Sequence, residues 1–272
     1  MDMKDGPIIG PIFVFMMKKL LLIIFVSFYV TSCANQDQYK INYDQLDEIT
    51  NKDYIDHMKS LGKEYLSDSS NKVVKLSKSN EEYLYEIYLR IVQNNEMLLT
   101  TPQKPTFYFI VHRSPFLFSL PGAQFFFSTG LMDKYLKSEE LFIAAFSAEV
   151  IRSHRSLYEK NIIFPTSYVG TEKLLELTKI KFETKQKVNE WTYFVLKRAG
   201  FDASAYLNWI QIQNRNTLDF SFMQNDLMGI SKEEHLYKNF ISRQGVSGAG
   251  RSFNESNSSK SFYSLLNNLS RI

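Results

Sequence analysis

Few side chains in this sequence can bind a metal or act as a nucleophile, because it has one cysteine, Cys33, and four histidines. A single cysteine excludes an intramolecular disulfide framework and a cysteine-based zinc cluster, and four histidines leave little material for an all-histidine metal site. Glu149 and His154 are the best-placed pair, but five residues along a helix separate two side chains by about 140°. We therefore expect structural roles for the histidines.

Cys33 follows a segment that is typical of a secretory leader. A basic pair at residues 18–19 precedes a mostly apolar run at residues 20–30. This run is too short to span a bilayer comfortably, so we expect a signal peptide over residues 1–32. Residues 1–15 lie upstream of the methionine pair at which we expect translation to begin. The small residues before Cys33 resemble the lipobox of bacterial lipoproteins, which implies that this cysteine is acylated.

An acylated Cys33 implies a membrane anchor in the bacterial cell envelope. The polar residues 33–50 are then a lipidated tether for a folded domain over residues 51–272 that faces the periplasm. The absence of aspartate directly after the cysteine favours the outer over the inner membrane. The alternative is a chance cysteine in an ordinary leader or in an uncleaved anchor.

The composition is that of a globular protein with a balanced surface. The 32 Lys and Arg residues exceed the 29 Asp and Glu residues by a net charge of +3, which is too balanced for an electrostatic nucleic-acid binder. Hydrophobic residues make up 44% of the chain, and its 22 Phe and 16 Tyr residues can fill a large core, which excludes global disorder.

Hydrophobic periodicity predicts an α+β fold that is mostly α-helical. Helical spacing and capping residues predict helices at residues 53–66, 79–99, 139–156, 171–180, 184–198, 203–214 and 262–269. Aromatic and β-branched runs predict strands at 106–111 and 124–129, the second following a Leu-Pro-Gly turn. The Gly-, Ser- and Asn-rich residues 243–261 predict a flexible loop.

Several short motifs resemble one enzyme family in their order and spacing. They are Leu120-Pro121-Gly122, Thr129-Gly130-Leu131, the helix start at 138–149, and Ala199-Gly200-Phe201-Asp202. Together they resemble the family forty-eight metallopeptidases, the Oma-type and CAAX-prenyl-protease-like zincins. The resemblance covers roughly residues 80–215. It implies a zincin-like domain in which a small β-hairpin sheet packs on the former active-site helix.

The zinc site of that family is altered in this sequence. In the family, two histidines four residues apart on a helix bind zinc, and the glutamate between them takes a proton from the metal-bound water. The resemblance places Ala148 and Arg152 at the histidine positions, Glu149 at the base and Lys187 at the third ligand. A methyl group cannot bind zinc and a guanidinium repels it. We therefore expect no metal, no cofactor and no catalytic residue, with Glu149 as a vestigial base paired to Arg152 or Arg155.

The basic residues around the third ligand position predict a charged surface. We expect Lys181 and residues 185–187 to form a solvated basic face, with contact to a membrane surface as the alternative.

The resemblance implies a pseudoenzyme that binds polypeptides. We expect a non-catalytic binding, scaffolding or chaperone-like protein whose client is an envelope or outer-membrane protein. Phe125, Phe126 and Phe127 form the expected edge for pairing an extended peptide by β-addition. One alternative is an active zinc metalloendopeptidase with relocated ligands such as His154. Another is an unrelated helical fold in which the short matches are coincidental.

Overall fold

The structure is a computed structural model that describes residues 39–42, 51–96, 98–99, 103–158, 161–164, 169–223, 227–244 and 258–270. The expected leader, Cys33 and most of the expected loop at 243–261 lie outside these residues. Within them the fold is α+β and mostly helical, as the hydrophobic periodicity predicts.

Helices form most of the described chain. They are α1 (Asn51–Ser67), α2 (Lys78–Gln93), α3 (Thr129–Lys134), α4 (Glu139–Arg155), α5 (Thr171–Leu177), α6 (Phe182–Arg198), α7 (Ala205–Arg215), α8 (Leu227–Arg243) and α9 (Lys260–Leu269), with a short 3-10 turn at Ser221–Met223. The predicted helix at 79–99 ends earlier than expected, at Gln93, and α8 was not predicted. None of the described helices is both long enough and apolar enough to cross a bilayer.

A three-stranded sheet lies at the centre of the fold. Its strands are β2 (Thr106–Ile110), β3 (Leu117–Leu120) and β4 (Gln124–Ser128), in the order β2-β4-β3. β4 runs parallel to β2 and antiparallel to β3. Stacked rings of neighbouring strands follow this register, with centroids 4.7 Å apart for Phe118 and Phe126.

The central position of β4 corrects the expectation that Phe125, Phe126 and Phe127 form a peptide-binding edge. Both sides of β4 are hydrogen-bonded to other strands, and the three side chains are fully buried. Phe125 packs on Phe146 of α4, while Phe126 packs on Tyr65 of α1 from the other face of the sheet. A strand covered on both faces has a continuous apolar run, and such a run does not reveal whether the strand is central or at an edge.

The helix α4 packs directly against the sheet. Ser153 donates a hydrogen bond of 2.5 Å to the Leu120 carbonyl, and it accepts one of 3.1 Å from the Ala123 N–H. Gly122 and Ala123 have φ angles of 87° and 58°, so the turn between β3 and β4 is left-handed at both residues. The helix therefore fixes the position of the hairpin turn.

A second, two-stranded sheet includes part of the segment 33–50, which we expect to be a tether. β1 (Tyr39–Asn42) pairs antiparallel with β5 (Asn161–Phe164). Four residues of the segment 33–50 thus belong to a β-ladder. Polar composition alone misses such a short strand because its hydrogen bonds are made by the backbone to a partner far along the chain.

Candidate functional site

The helix α4 carries the residues of the implied zinc site on one face. Its N-cap residue is Ser138, whose Oγ accepts a hydrogen bond of 3.3 Å from the Leu141 N–H. Ala148, Glu149 and Arg152 follow at helical spacing, and all three line one cavity. The structure therefore brings these predicted residues together.

The Glu149 carboxylate is buried, with 4% of the residue exposed, and both of its oxygens have partners. Oε1 accepts a hydrogen bond of 2.5 Å from Arg152 Nη1, and Oε2 accepts one of 2.7 Å from Ser119 Oγ. The Tyr158 hydroxyl lies 2.7 Å from the same Ser119 oxygen. Ser119 uses its one proton to donate to Glu149, so in its contact with Tyr158 the Tyr158 hydroxyl is the donor. Two successive hydrogen bonds, from Tyr158 to Ser119 and from Ser119 to Glu149, therefore end at the carboxylate.

Arg152 is held in place as a charged group. Its Nη1 pairs with Glu149, which confirms the expected ion pair, while the alternative partner Arg155 is exposed. Its Nη2 donates to the Thr178 carbonyl. Burial, the largest single influence, would lower the pKa of Arg152, but the Glu149 carboxylate together with the hydroxyls of Tyr158 and Tyr206 raises that pKa on balance. The guanidinium is therefore always protonated.

A second ion pair lies across the cavity, between α6 and α8. Lys185 Nζ is 2.7 Å from Glu233 Oε2, and Glu233 is only 3% exposed. The other Glu233 oxygen accepts a hydrogen bond of 2.8 Å from Asn189 Nδ2. Tyr206 donates a bond of 2.7 Å to Asn189 Oδ1, and burial raises the pKa of the Tyr206 hydroxyl well above its ordinary value. The side chains of Lys185, Glu233, Asn189 and Tyr206 thus form one cluster in which each has an ion-pair or hydrogen-bond partner.

The cavity between the two ion pairs has a volume of about 320 Å³. This size lies at the lower end of the range for small-molecule pockets. Apolar side chains form part of its wall: Leu117, Ala145, Ala148, Ile180, Phe182, Val188, Trp209 and Met223. It is therefore a mixed pocket, with charged pairs inside and apolar surface around them.

These residues do not fit the zinc ion that the family resemblance implies. Ala148 has no ligand atom, Arg152 cannot bind a cation, and the carboxylates of Glu149 and Glu233 are already ion-paired to Arg152 and Lys185. In the part of the chain that the structure describes, no three His, Cys, Asp or Glu side chains are grouped closely enough to hold a metal.

On α6, Lys185 lines the cavity, whereas Lys187, which the resemblance places at the third ligand position, does not. Lys185 and Asn189 are four residues apart and share one face of α6. Lys187 is rotated about 200° from Lys185 and is exposed. The expected solvated basic face therefore includes Lys181 and Lys187 but not Lys185, which is ion-paired to Glu233.

His154 lies away from the cavity. Its Nε2 is 2.8 Å from the hydroxyl of Tyr88 on α2, and the Tyr88 oxygen also accepts a hydrogen bond of 3.1 Å from the Gln103 N–H. The residue is buried, as the structural role expected for it requires. The rotation of about 140° around α4 separates it from Glu149, so the two side chains cannot share one ion.

Sequence reasoning missed Glu233 and Ser119. Glu233 lies on the unpredicted helix α8, although Ile230, Tyr237 and Ile241 are spaced as the buried stripe of a helix and would have revealed it. No local signal marks Ser119, because its contact with Glu149 joins residues 30 positions apart.

Among the charged residues that line the cavity, Glu149 is thus paired with Arg152 and Glu233 with Lys185, beside an apolar wall. Such a pocket offers apolar surface to one side group of a bound ligand. The chain matches no model of a known protein family and no curated protein.

Proposed function

We propose that this chain is an envelope lipoprotein, anchored through Cys33, that binds polypeptide clients without hydrolysing them. The observation that carries the proposal is the buried ion pair of Glu149 and Arg152, at the positions that the family uses for its base and its second zinc ligand. The clients we propose are partly folded envelope or outer-membrane proteins. The proposed anchor, compartment and client class rest on the sequence motifs.

The chemistry of the ion pair supports a non-catalytic role. A general base of a metallopeptidase must accept a proton from a metal-bound water. Protonation of Glu149 would break its ion pair with Arg152 and leave a buried guanidinium without a counter-charge, which is costly. No hydrolytic step is therefore assigned to Glu149.

The walls of the cavity support a binding role. β3 is at the end of the strand order, and its first residue, Leu117, lines the cavity. A client segment can therefore place one apolar side chain in the cavity, among Leu117, Trp209 and Met223.

The test measures zinc content, cleavage and retention of unfolded casein with the same preparation. The protein carries Cys33→Ser, so that it is not acylated, and it is purified without affinity histidines. We expect no stoichiometric zinc by elemental analysis, intact casein after incubation, and casein that co-purifies with the protein. Chelator-sensitive cleavage with about one zinc per chain would contradict the proposal.

Two sets of variants make the test specific. The triple variant Ala148→His/Arg152→His/Lys185→Glu restores a zinc ligand set, so it should acquire about one zinc per chain if these are the family's metal positions. Met223→Asp places a charge in the cavity wall and should reduce casein retention. The matched control Leu218→Asp changes a residue that is 83% exposed and should retain casein as the parent does.

A further inference from the structure

An aromatic cluster is exposed on the outer side of α6 and α8. Phe194 of α6 and Leu236 of α8 are 42% and 37% exposed. Phe240 lies four residues after Leu236, and its ring centroid is 5.7 Å from that of Phe194. Tyr193 supports both rings from beneath, at 5.4 and 5.6 Å. We call this surface, with the cations around it, the α6–α8 face.

Cations flank the cluster on α6. Lys187, Lys197 and Arg198 lie seven residues before, three after and four after Phe194, so they share its side of the helix. All three are exposed. Glu190, four residues before Phe194, and Glu183, eleven residues before it, are exposed carboxylates on the same stripe.

The cluster is also flanked by a cation on α8. Arg243 is exposed and lies three residues after Phe240. Among the described residues, Lys187, Arg198 and Arg243 form no ion pair with a carboxylate. The face thus combines exposed aromatic surface with positive charge that the described part of the protein does not neutralise.

We propose that the α6–α8 face binds the surface of an anionic lipid bilayer. Aromatic rings are favoured at the level of the lipid headgroups, and neighbouring lysine and arginine side chains are attracted to anionic lipids. This proposal goes beyond the proposed function, because it requires neither the cavity nor a polypeptide client.

Charge favours a bilayer over a protein partner on this face. A second copy bound through the same face would bring Lys187, Arg198 and Arg243 against their own equivalents, and like charges repel. Lysine is also depleted in the core of protein–protein interfaces. Anionic headgroups instead complement the positive charge of the face. A bilayer also places the aromatic rings at the level of the headgroups, where they are favoured.

The two tryptophans of the chain allow a site-specific test with the full chain. Trp191 is half-buried on α6, three residues before Phe194, whereas Trp209 is buried in the cavity wall. The chain with Cys33→Ser and Trp209→Phe is mixed with phosphatidylcholine vesicles that contain phosphatidylglycerol with brominated acyl chains. We expect bromine to quench Trp191 and its emission to shift to the blue. With Trp191→Phe instead, Trp209 should not be quenched.

Charge variants in the Trp209→Phe chain test the role of the cations. Lys187→Glu/Arg198→Glu should weaken the vesicle binding reported by Trp191 about tenfold or more. Lys52→Glu/Lys63→Glu makes the same charge change at exposed residues of α1 and should bind as the parent does. Circular dichroism confirms that the variants are folded.

Three outcomes would overturn the proposal. They are an unquenched Trp191 on anionic vesicles, equal quenching on vesicles made only of phosphatidylcholine with brominated acyl chains, and quenching that survives Lys187→Glu/Arg198→Glu. Self-association that Phe194→Asp abolishes, without vesicle binding, would assign the face to a second copy of the chain instead. None of these results bears on zinc content or casein retention, so the two proposals fail independently.

Discussion

At the scale of single residues, Arg152 and Glu149 are a charge pair almost entirely withdrawn from water, with side chains 16% and 5% exposed. Such a pair contributes little net stability relative to apolar residues of the same volume, because desolvation offsets the attraction. Removing one partner is costly, since the other remains buried and charged. The pair therefore keeps Arg152 in the cavity, and we expect the replacement of either residue alone to destabilise the fold.

A double-mutant comparison tests this. Arg152→Met should lower the free energy of unfolding by about 3 kcal/mol, whereas Glu149→Met/Arg152→Met should cost clearly less because no charge is left unpaired. Urea denaturation measures both. The control Lys78→Met breaks a solvent-exposed pair with Glu82, whose side chains are 89% and 62% exposed, and it should change stability by less than about 0.5 kcal/mol. A double variant as unstable as the single one would refute the argument.

At the scale of elements, one carboxylate joins three parts of the structure. Glu139, in the first turn of α4, accepts hydrogen bonds from the Ser259 N–H at 2.6 Å and from Ser259 Oγ at 2.8 Å. The Tyr83 hydroxyl of α2 donates a third, at 2.7 Å. Ser259 is also the N-cap of α9, so Glu139 holds the start of this terminal helix, while Phe262 and Leu265 bury its apolar face.

From these hydrogen bonds we predict that the loss of Glu139 loosens α9. Glu139→Ala removes three charge-assisted hydrogen bonds, so it should increase amide hydrogen exchange in α9 and lower the free energy of unfolding by about 2 kcal/mol. Tyr83→Phe removes one of the three and should have a smaller effect in the same helix. Glu81→Ala changes an exposed carboxylate in the first turn of α2 and serves as the control. Unchanged exchange across Lys260–Leu269 in Glu139→Ala would show that the apolar contacts alone hold α9.

At the scale of the whole molecule, buried tyrosines couple stability to alkaline pH. Burial raises the pKa of Tyr158, Tyr206 and Tyr237 above the ordinary value of 10.0. In the unfolded chain these hydroxyls ionise near pH 10, so above that pH the unfolded state binds fewer protons than the folded state. Stability is therefore fully present below pH 10, and it is lost as the pH rises towards the folded pKa values.

The contribution of a single buried tyrosine to this pH dependence can be measured at Tyr237. Its hydroxyl is buried, and in the described part of the protein it has no hydrogen-bond partner. Tyr237→Phe should leave the free energy of unfolding at pH 7 unchanged or slightly higher. Above pH 10 it should reduce the decline in stability by about 1.4 kcal/mol per pH unit, the contribution of one proton. Urea titrations of the parent and the variant between pH 8 and 11 compare the two slopes, and parallel slopes would contradict this origin.

The sequence by itself determined the elements whose signals are local. Capping residues and helical periodicity located α4, and aromatic runs located β2 and β4, because propensity and patterning act over a few residues. The ion pair of Glu149 with Arg152 was also predictable, since residues three apart on a helix are neighbours. The family resemblance and the proposed lipid anchor depend on sequence motifs alone.

Only the tertiary structure decided the order of the strands and the second half of the cavity. An apolar run such as Phe125–Phe127 records that both faces of a strand are buried but not which strands lie beside it, so β4 is central against expectation. The partners of Glu149 and Asn189 that complete the site, Ser119 and Glu233, lie 30 and 44 residues away along the chain. Such contacts form because packing minimises exposed apolar surface over the whole molecule, and no local pattern encodes them.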